Sequence, residues 1–146
     1  EHTWIKEMVL KQEDFTEQAR EALGNSQQLV LQMKHSQWDA EHLLLGLINV
    51  DDSLPARMLD ILGINSDYLI TEITSILDAT PKLSGESISA QIFATPRVVS
   101  TIENARTEAR RLKDEFIGTD HLLVGLIQEG PSKLSEIFKL FRVLLQ

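Results

Sequence analysis

Apolar residues recur along this chain at intervals of three and four, the spacing that lines up one face of a helix. From Thr16 to Lys34 the stripe is Ala19, Ala22, Leu23, Leu29, Val30 and Met33, with Thr16 placed to cap its start. A second helix is predicted from about Asp39 to Val50 after a His-Ser-Gln-Trp turn, and its Leu43, Leu44, Leu45, Leu47 and Ile48 are too apolar for a surface helix. This one is expected to be buried. Asp51-Asp52-Ser53 ends it and caps a third helix over Leu54 to Leu62, where Pro55 fits the first turn and Gly63 is the stop. Asn65 or Ser66 caps a fourth, carrying Tyr68, Leu69, Ile73, Ile76 and Leu77 to about Asp78. Residues 79–94 hold Pro81 and Gly85 without a helical period and are expected to be a linker. Thr95-Pro96 restarts the pattern as N-cap and first helical residue, followed by Val98, Ile102, Ala105, Ala109 and Leu112. Gly118-Thr119 opens a second buried helix. Gly130-Pro131-Ser132 then punctuates, and a last helix is predicted over Leu134 to Leu144, with Phe138 and Phe141 on its apolar positions.

The second half repeats the first. Glu41-His42-Leu43-Leu44-Leu45-Gly46-Leu47-Ile48 returns 79 positions later as Asp120-His121-Leu122-Leu123-Val124-Gly125-Leu126-Ile127. The same shift superposes Thr16 on Thr95, Ala19 on Val98, Leu23 on Ile102, Val30 on Ala109 and Met33 on Leu112 without a gap. A unit this small cannot bury its apolar face alone, so two copies are expected to pack on one another in an all-α fold of two pseudo-twofold-related four-helix repeats. Repeat one is assigned to residues 15–78 and repeat two to residues 95–146, whose last helix is truncated. Residues 1–14 add a stripe of Trp4, Ile5, Met8, Val9 and Leu10 that the repeat does not account for. An extra N-terminal helix is expected there, covering the surface around Phe138 and Phe141 left bare by the missing helix.

Composition narrows the class. Of 146 residues, 42% are hydrophobic and 25% charged, enough for one domain with a core and too apolar for disorder. The net charge of −8 opposes nucleic acid and anionic membrane, and the basic cluster Arg106, Arg110, Arg111 and Lys113 is interleaved with acids as on a solvated helix face with i,i+4 pairs. No cysteine is present, which removes disulfides, thiolate metal sites and thiol nucleophiles and fits a reducing, cytoplasmic setting. No apolar run approaches the ~18 residues of a membrane span, and no signal-peptide layout opens the chain. It starts without Met, as expected of a fragment or processed product.

Chemistry offers little foothold. Glu41, His42, Asp120 and His121 suggest a metal quartet, but adjacent helical residues point about 100° apart, whereas helical ligand pairs need i,i+4 spacing. The histidines are instead expected at the starts of the buried helices, their ring nitrogens met by nearby backbone groups. Acids in a first turn are stabilised by the helix dipole at about 0.3–1 kcal/mol, and an exposed charge repeated in both copies at a helix start, Glu41 and Asp120, also makes a recognition point for a cationic group of a partner. No G-x-S-x-G, phosphate-cradling glycine loop or dinucleotide fingerprint occurs. Gly46 and Gly125 sit inside buried helices, where each disfavours the helix by about 1 kcal/mol against alanine; close approach of a neighbouring helix is the expected compensation. No catalytic residue, cofactor or metal is expected.

Thr16-Glu17-Gln18-Ala19, the segment Glu41 to Leu47, Leu59 through Ile64, Thr95-Pro96-Arg97 and Ile117 to Ile127 together resemble the Clp N-terminal repeat domain that fronts Clp-type AAA+ unfoldases, closer to the ClpC branch than to ClpB. The similarity runs from about Phe15 to Phe141. It implies a non-catalytic, monomeric domain tethered to a hexameric ATPase ring, receiving substrate proteins and adaptor proteins. In some ClpC-like members the Glu of a Gly-Thr-Glu-His element helps bind phosphorylated arginine; the matching positions are Glu41 and Asp120. Copy one departs with Asp39-Ala40 before Glu41, and copy two shortens Glu to Asp120. Glu41, Asp120, Thr16, Thr95 and Thr119 are the candidate partner-binding residues. A second reading of the resemblance is a stand-alone regulator of a Clp complex without ATPase domains of its own.

Overall fold

Six α-helices take up most of the residues that the computed structural model describes, namely 11–83, 92–129 and Lys139. They are α1 (Glu17–Gln32), α2 (Ala40–Ile48), α3 (Leu54–Leu62), α4 (Ser66–Asp78), α5 (Pro96–Arg111) and α6 (Thr119–Glu129). Each begins where its sequence supplies a cap. Thr16, Ser53, Asn65 and Thr95 accept, through their side chains, the backbone N–H three residues on, satisfying donors that a helix start leaves open. The caps place α3 and α4 on the residues expected.

Helix α1 stops two residues short of the expected Lys34, for a reason that recurs. Lys34 takes φ of 61° and Lys113, its equivalent after α5, φ of 60°. In each case the next residue donates back to a carbonyl five positions earlier, His35 to Val30 and Asp114 to Ala109, closing the helix end. Lysine occupies a left-handed position that suits glycine, with a steric penalty of about 1 kcal/mol.

Every residue of α2 is buried, as its unbroken apolar sequence requires, and α6 is buried along most of its length. Glycine makes this possible. A Cβ on Gly46 would overlap the Ala22 carbonyl oxygen of α1, and one on Gly125 would overlap the Thr101 carbonyl oxygen of α5. Positions 22 and 101 are themselves equivalent under the shift, so both repeats use the same backbone-to-backbone contact. The expected close approach is thus present twice.

The halves are stitched together by exchange. Strand β1 (Gln37–Trp38) pairs in parallel with β2 (Phe93–Ala94), and Phe15 forms an isolated parallel bridge with Ile117. Trp38 is equivalent to Ile117 and Ala94 to Phe15. Each repeat therefore offers the segment before its first helix to the segment before the other repeat's buried helix. The stretch expected to be a linker ends in one of these strands, and Leu83 N donates to Lys34 O at 2.8 Å, so both flanks of residues 84–91 are anchored to repeat one.

The basic cluster on α5 is not simply a solvated face. Arg111 pairs with Glu108 at i,i+3, but Arg106 reaches back to Asp14 at 2.9 Å, its side chain only 17% exposed. Asp14 ends the short 3-10 turn Gln12–Asp14. The stripe from Trp4 to Leu10, the Gly130-Pro131-Ser132 punctuation and the last helix lie outside the described residues, as does the contact expected between the N-terminal helix and Phe138 and Phe141.

Replacing Gly46 or Gly125 by alanine should lower unfolding free energy by about 1–3 kcal/mol each, because the clash is with backbone. Lys34→Gly should raise it by roughly 0.5–1 kcal/mol. Urea denaturation of the three variants checks both signs.

Candidate functional site

Two clefts open where the first turn of a buried helix meets the first helix of the other repeat. Cleft one, about 250 Å³, is bounded by Asp39, Glu41 and His42 at the start of α2, by Arg97 of α5, and by Ile76, Leu77 and Thr80 at the end of α4. Cleft two, about 540 Å³, lies between Thr16, Glu17 and Gln18 at the start of α1, Gly118, Thr119 and Asp120 at the start of α6, and Leu54 and Arg57 of α3. The 79-residue shift carries Asp39 to Gly118, Glu41 to Asp120 and Gln18 to Arg97. These are one place built twice, and their inner ends are helix N-termini whose dipoles favour the acids at Glu41 and Asp120.

The candidate residues fall into these clefts in different states. Glu41 is only 7% exposed, not the exposed charge expected from its place at a helix start, because α4 and Arg97 wall it in. Its carboxylate makes no hydrogen bond or ion pair among the described residues. Asp120 keeps half its side chain exposed, with a carboxylate oxygen 3.5 Å from His121 Nδ1. Thr119 is 6% exposed and its hydroxyl has no partner among the described residues, while it lines cleft two. Thr16 and Thr95 are committed to capping, and the Thr95 hydroxyl also donates to Asp39 Oδ1 at 3.1 Å. Thr16, Thr119 and Asp120 thus share cleft two, and Glu41 lines cleft one with Thr95 beside it.

Charge separates the two copies. In cleft one Arg97 stands 3.9 Å from Asp39, a pair about one-third exposed and of small net value. In cleft two Gln18 replaces the arginine and Gly118 the aspartate, and Arg57 has no ion pair among the described residues.

The two repeated histidines, His42 and His121, are held at each ring nitrogen, whereas Nε2 of the buried His35 has no hydrogen-bond partner among the described residues. His42 Nδ1 accepts from Asp39 N at 3.0 Å and its Nε2 faces His35 Nδ1 at 2.9 Å. His121 Nδ1 accepts from Gly118 N at 2.8 Å and its Nε2 faces Asp114 Oδ2 at 2.7 Å. The expected backbone contacts are present, with a side-chain partner added on the other nitrogen. Asp114, Asp120 and His121 bring ligand atoms within 4.8 Å of one another. With its Nδ1 lone pair engaged, however, the neutral His121 ring carries its proton on Nε2 and has no lone pair left for a metal. Burial, then the neighbouring His35, pushes the His42 pKa down to about 4 from 6.5. Burial, then Lys82, lowers that of His35 as well.

A family model described as the Clp repeat (R) N-terminal domain matches residues 14–141. The chain belongs to this family. Among curated relatives it is 36% identical over 116 residues to the negative regulator of genetic competence ClpC/MecB of Bacillus subtilis, covering 80% of this chain and 14% of that protein. It is 32% identical over 123 residues to the ATP-binding subunit ClpC of Staphylococcus aureus, covering 84% and 14%. The chain therefore spans only a small fraction of these relatives. The N-terminal domain of ClpD from Arabidopsis thaliana shares 26% identity at a TM-score of 0.66, over 87% of this chain and 86% of that one. The N-domain of ClpV from Vibrio cholerae superposes at 0.74 with 16% identity, over 92% and 80%, and shows the fold alone. The chain is thus a mostly helical Clp N-domain, and no described helix is long and apolar enough to cross a membrane.

Within this Clp N-domain, reading the residues in sequence missed Asp39, Arg97, Arg57, His35 and Asp114. The last two were within reach: both lie seven positions before the repeated histidine and superpose under the shift. Arg57 and Arg97 come from other helices, so no local pattern could have joined them to Glu41 or Asp120.

Between about pH 6.5 and pH 4 the unfolded chain binds a proton at His42 that the folded chain refuses, so acid favours unfolding there. The contribution is intact above pH 6.5 and is lost as pH falls to about 4, amounting to about 3 kcal/mol. Chemical denaturation at stepped pH, compared with His42→Gln, should show the slope in the parent and a flatter profile in the variant.

Proposed function

We propose that this chain is a non-catalytic docking module that receives substrate proteins and adaptor proteins for a Clp-type unfoldase, with its two clefts taking side chains of the bound polypeptide. The observation that carries this reading is Glu41: a residue only 7% exposed that lines a cleft, with a carboxylate lacking a hydrogen-bond or ion-pair partner among the described residues. A carboxylate that opens on a cleft without a partner leaves its acceptor sites to an incoming donor, so the cleft suits a cationic head. Ile76 and Leu77 supply an apolar wall for the stem of a lysine or arginine, and Asp39 adds a second acid. Asp120 offers the equivalent acid in the wider second cleft, with Thr16 and Thr119 beside it.

Family membership supports the same direction, since relatives such as ClpC of Staphylococcus aureus are ATP-binding subunits of an ATP-dependent Clp protease. The ATPase ring is the partner in that assembly. A reading frame continuing past Gln146 into nucleotide-binding motifs would favour that arrangement, and an in-frame stop would favour the stand-alone regulator.

Fluorescence anisotropy with labelled peptides of equal length, one lysine- and arginine-rich and one acidic, tests the proposal. The basic peptide should bind preferentially, and Glu41→Gln with Asp120→Asn should weaken it about tenfold or more while circular dichroism stays unchanged. Equal affinity of parent and double variant would reduce both acids to helix-start stabilisers.

A further inference from the structure

The two repeats differ at the partner of their buried histidine. His35 falls on Asp114 under the 79-residue shift, and each stands against the Nε2 of its repeat's histidine, at 2.9 Å and 2.7 Å. His35 and His42 are 4% and 2% exposed and meet edge to face, ring centroids 5.1 Å apart and planes at 69°.

Counting protons shows what this pair can hold. The Asp39 N–H points at His42 Nδ1, so that nitrogen keeps its lone pair and the neutral ring carries its proton on Nε2. That proton is donated to His35 Nδ1, which keeps a lone pair in turn. A further proton has two places to go. On His42 Nδ1 it opposes the Asp39 N–H. On His35 Nδ1 it opposes the proton of His42 Nε2, and moving the latter to Nδ1 restores the first conflict. Either way a contact of the chain from Asp39 through His42 to His35 must open.

We infer that the His35–His42 pair is a proton-operated latch on cleft one: protonation breaks the chain from the Asp39 backbone through His42 to His35 and rearranges the cleft. The effect extends across the repeat boundary because the Asp39 carboxylate accepts from Ala40 N at 2.8 Å and from the Thr95 hydroxyl at 3.1 Å, and faces Arg97. Movement of Asp39 therefore reaches the start of α5.

The surrounding charges set the direction of the switch. Lys82 opposes protonation of His35, and Asp78, which pairs with Lys82 at 3.7 Å, favours it. Asp39 favours a charge on His42, and Glu41 and Arg97 stand on the cleft side. Burial and the mutual repulsion of the two rings outweigh the acids and hold the latch closed at neutral pH. The latch concerns the cleft and not its occupant, and stands independently of the docking proposal.

Nuclear magnetic resonance on the isotope-labelled full chain, titrated from about pH 7.5 to about pH 3, reads the latch directly. Amide signals of Asp39, Glu41 and Arg97 are expected to shift with the same midpoint as the rings of His35 and His42. His35→Gln with His42→Gln, which removes both places for the proton, should abolish the shared transition. His35→Gln alone, which keeps an uncharged hydrogen-bonding partner, should move the His42 midpoint to higher pH because the opposing ring is gone, and serves if the double variant fails to fold. Rings that titrate while Asp39 and Arg97 stay still would overturn the inference. So would persistence of the transition in the folded double variant, an unmoved midpoint in His35→Gln, or loss of all amide signals together at that midpoint, which marks global unfolding.

Discussion

A helix with no polar face has to be enclosed on all sides, as α2 is, and its counterpart α6 is buried along most of its length. Neither α2 nor α6 can be covered by its own repeat's first helix alone, and most of the architecture follows from this. Glycine at positions 46 and 125 lets α1 and α5 approach to backbone contact, removing water from one side of each buried helix. The other sides are closed by α3, α4 and the opposite repeat. Burial of apolar surface is non-directional, so it explains why the halves associate and not how they are oriented. Orientation comes from the exchanged parallel pairs, Gln37–Trp38 with Phe93–Ala94 and Phe15 with Ile117, whose hydrogen bonds have direction.

Enclosure leaves the buried helices only their ends at which to meet solvent, and the clefts form there. A helix start carries unpaired N–H groups and a positive dipole end, which favour first-turn acids and an inward histidine that accepts the N-cap N–H. The histidine thus belongs to the scaffold as much as to the cleft: it satisfies a buried donor while forming part of the wall. Because the exchange brings the first turn of the opposite repeat to the same place, each cleft is composite, and its charge depends on residues more than fifty positions apart.

Duplication then allowed the copies to differ without altering the frame. Asp39 with Arg97 in one repeat, Gly118 with Gln18 in the other, and His35 against Asp114 change the charge and proton chemistry of each cleft while Gly46 and Gly125, Thr16 and Thr95, and the two buried histidines keep the helices in place. A narrow acidic cleft and a wider one with an unpaired arginine among the described residues are therefore supported by one repeated scaffold.

Local regularities were legible in the sequence because they depend on neighbours along the chain. Caps at Thr16, Ser53, Asn65 and Thr95, the stop at Gly63, the buried character of the segment Leu43 to Ile48 and the close approach at both helical glycines all follow from short-range rules of helix geometry, and the 79-residue period announced the duplication. The two-residue strands escaped notice because a pairing so short has no periodicity of its own. Glu41 looked exposed because a first-turn acid ordinarily is; α4 and Arg97, distant in sequence, bury it. The sequence by itself determined the helices, the repetition and the family resemblance, since each is written in nearby or regularly spaced residues. Only the tertiary structure decided which side chains share a cleft, which carboxylate is left without a partner among the described residues and which proton a buried histidine can keep, because those depend on contacts and solvent exclusion between segments that no local pattern links.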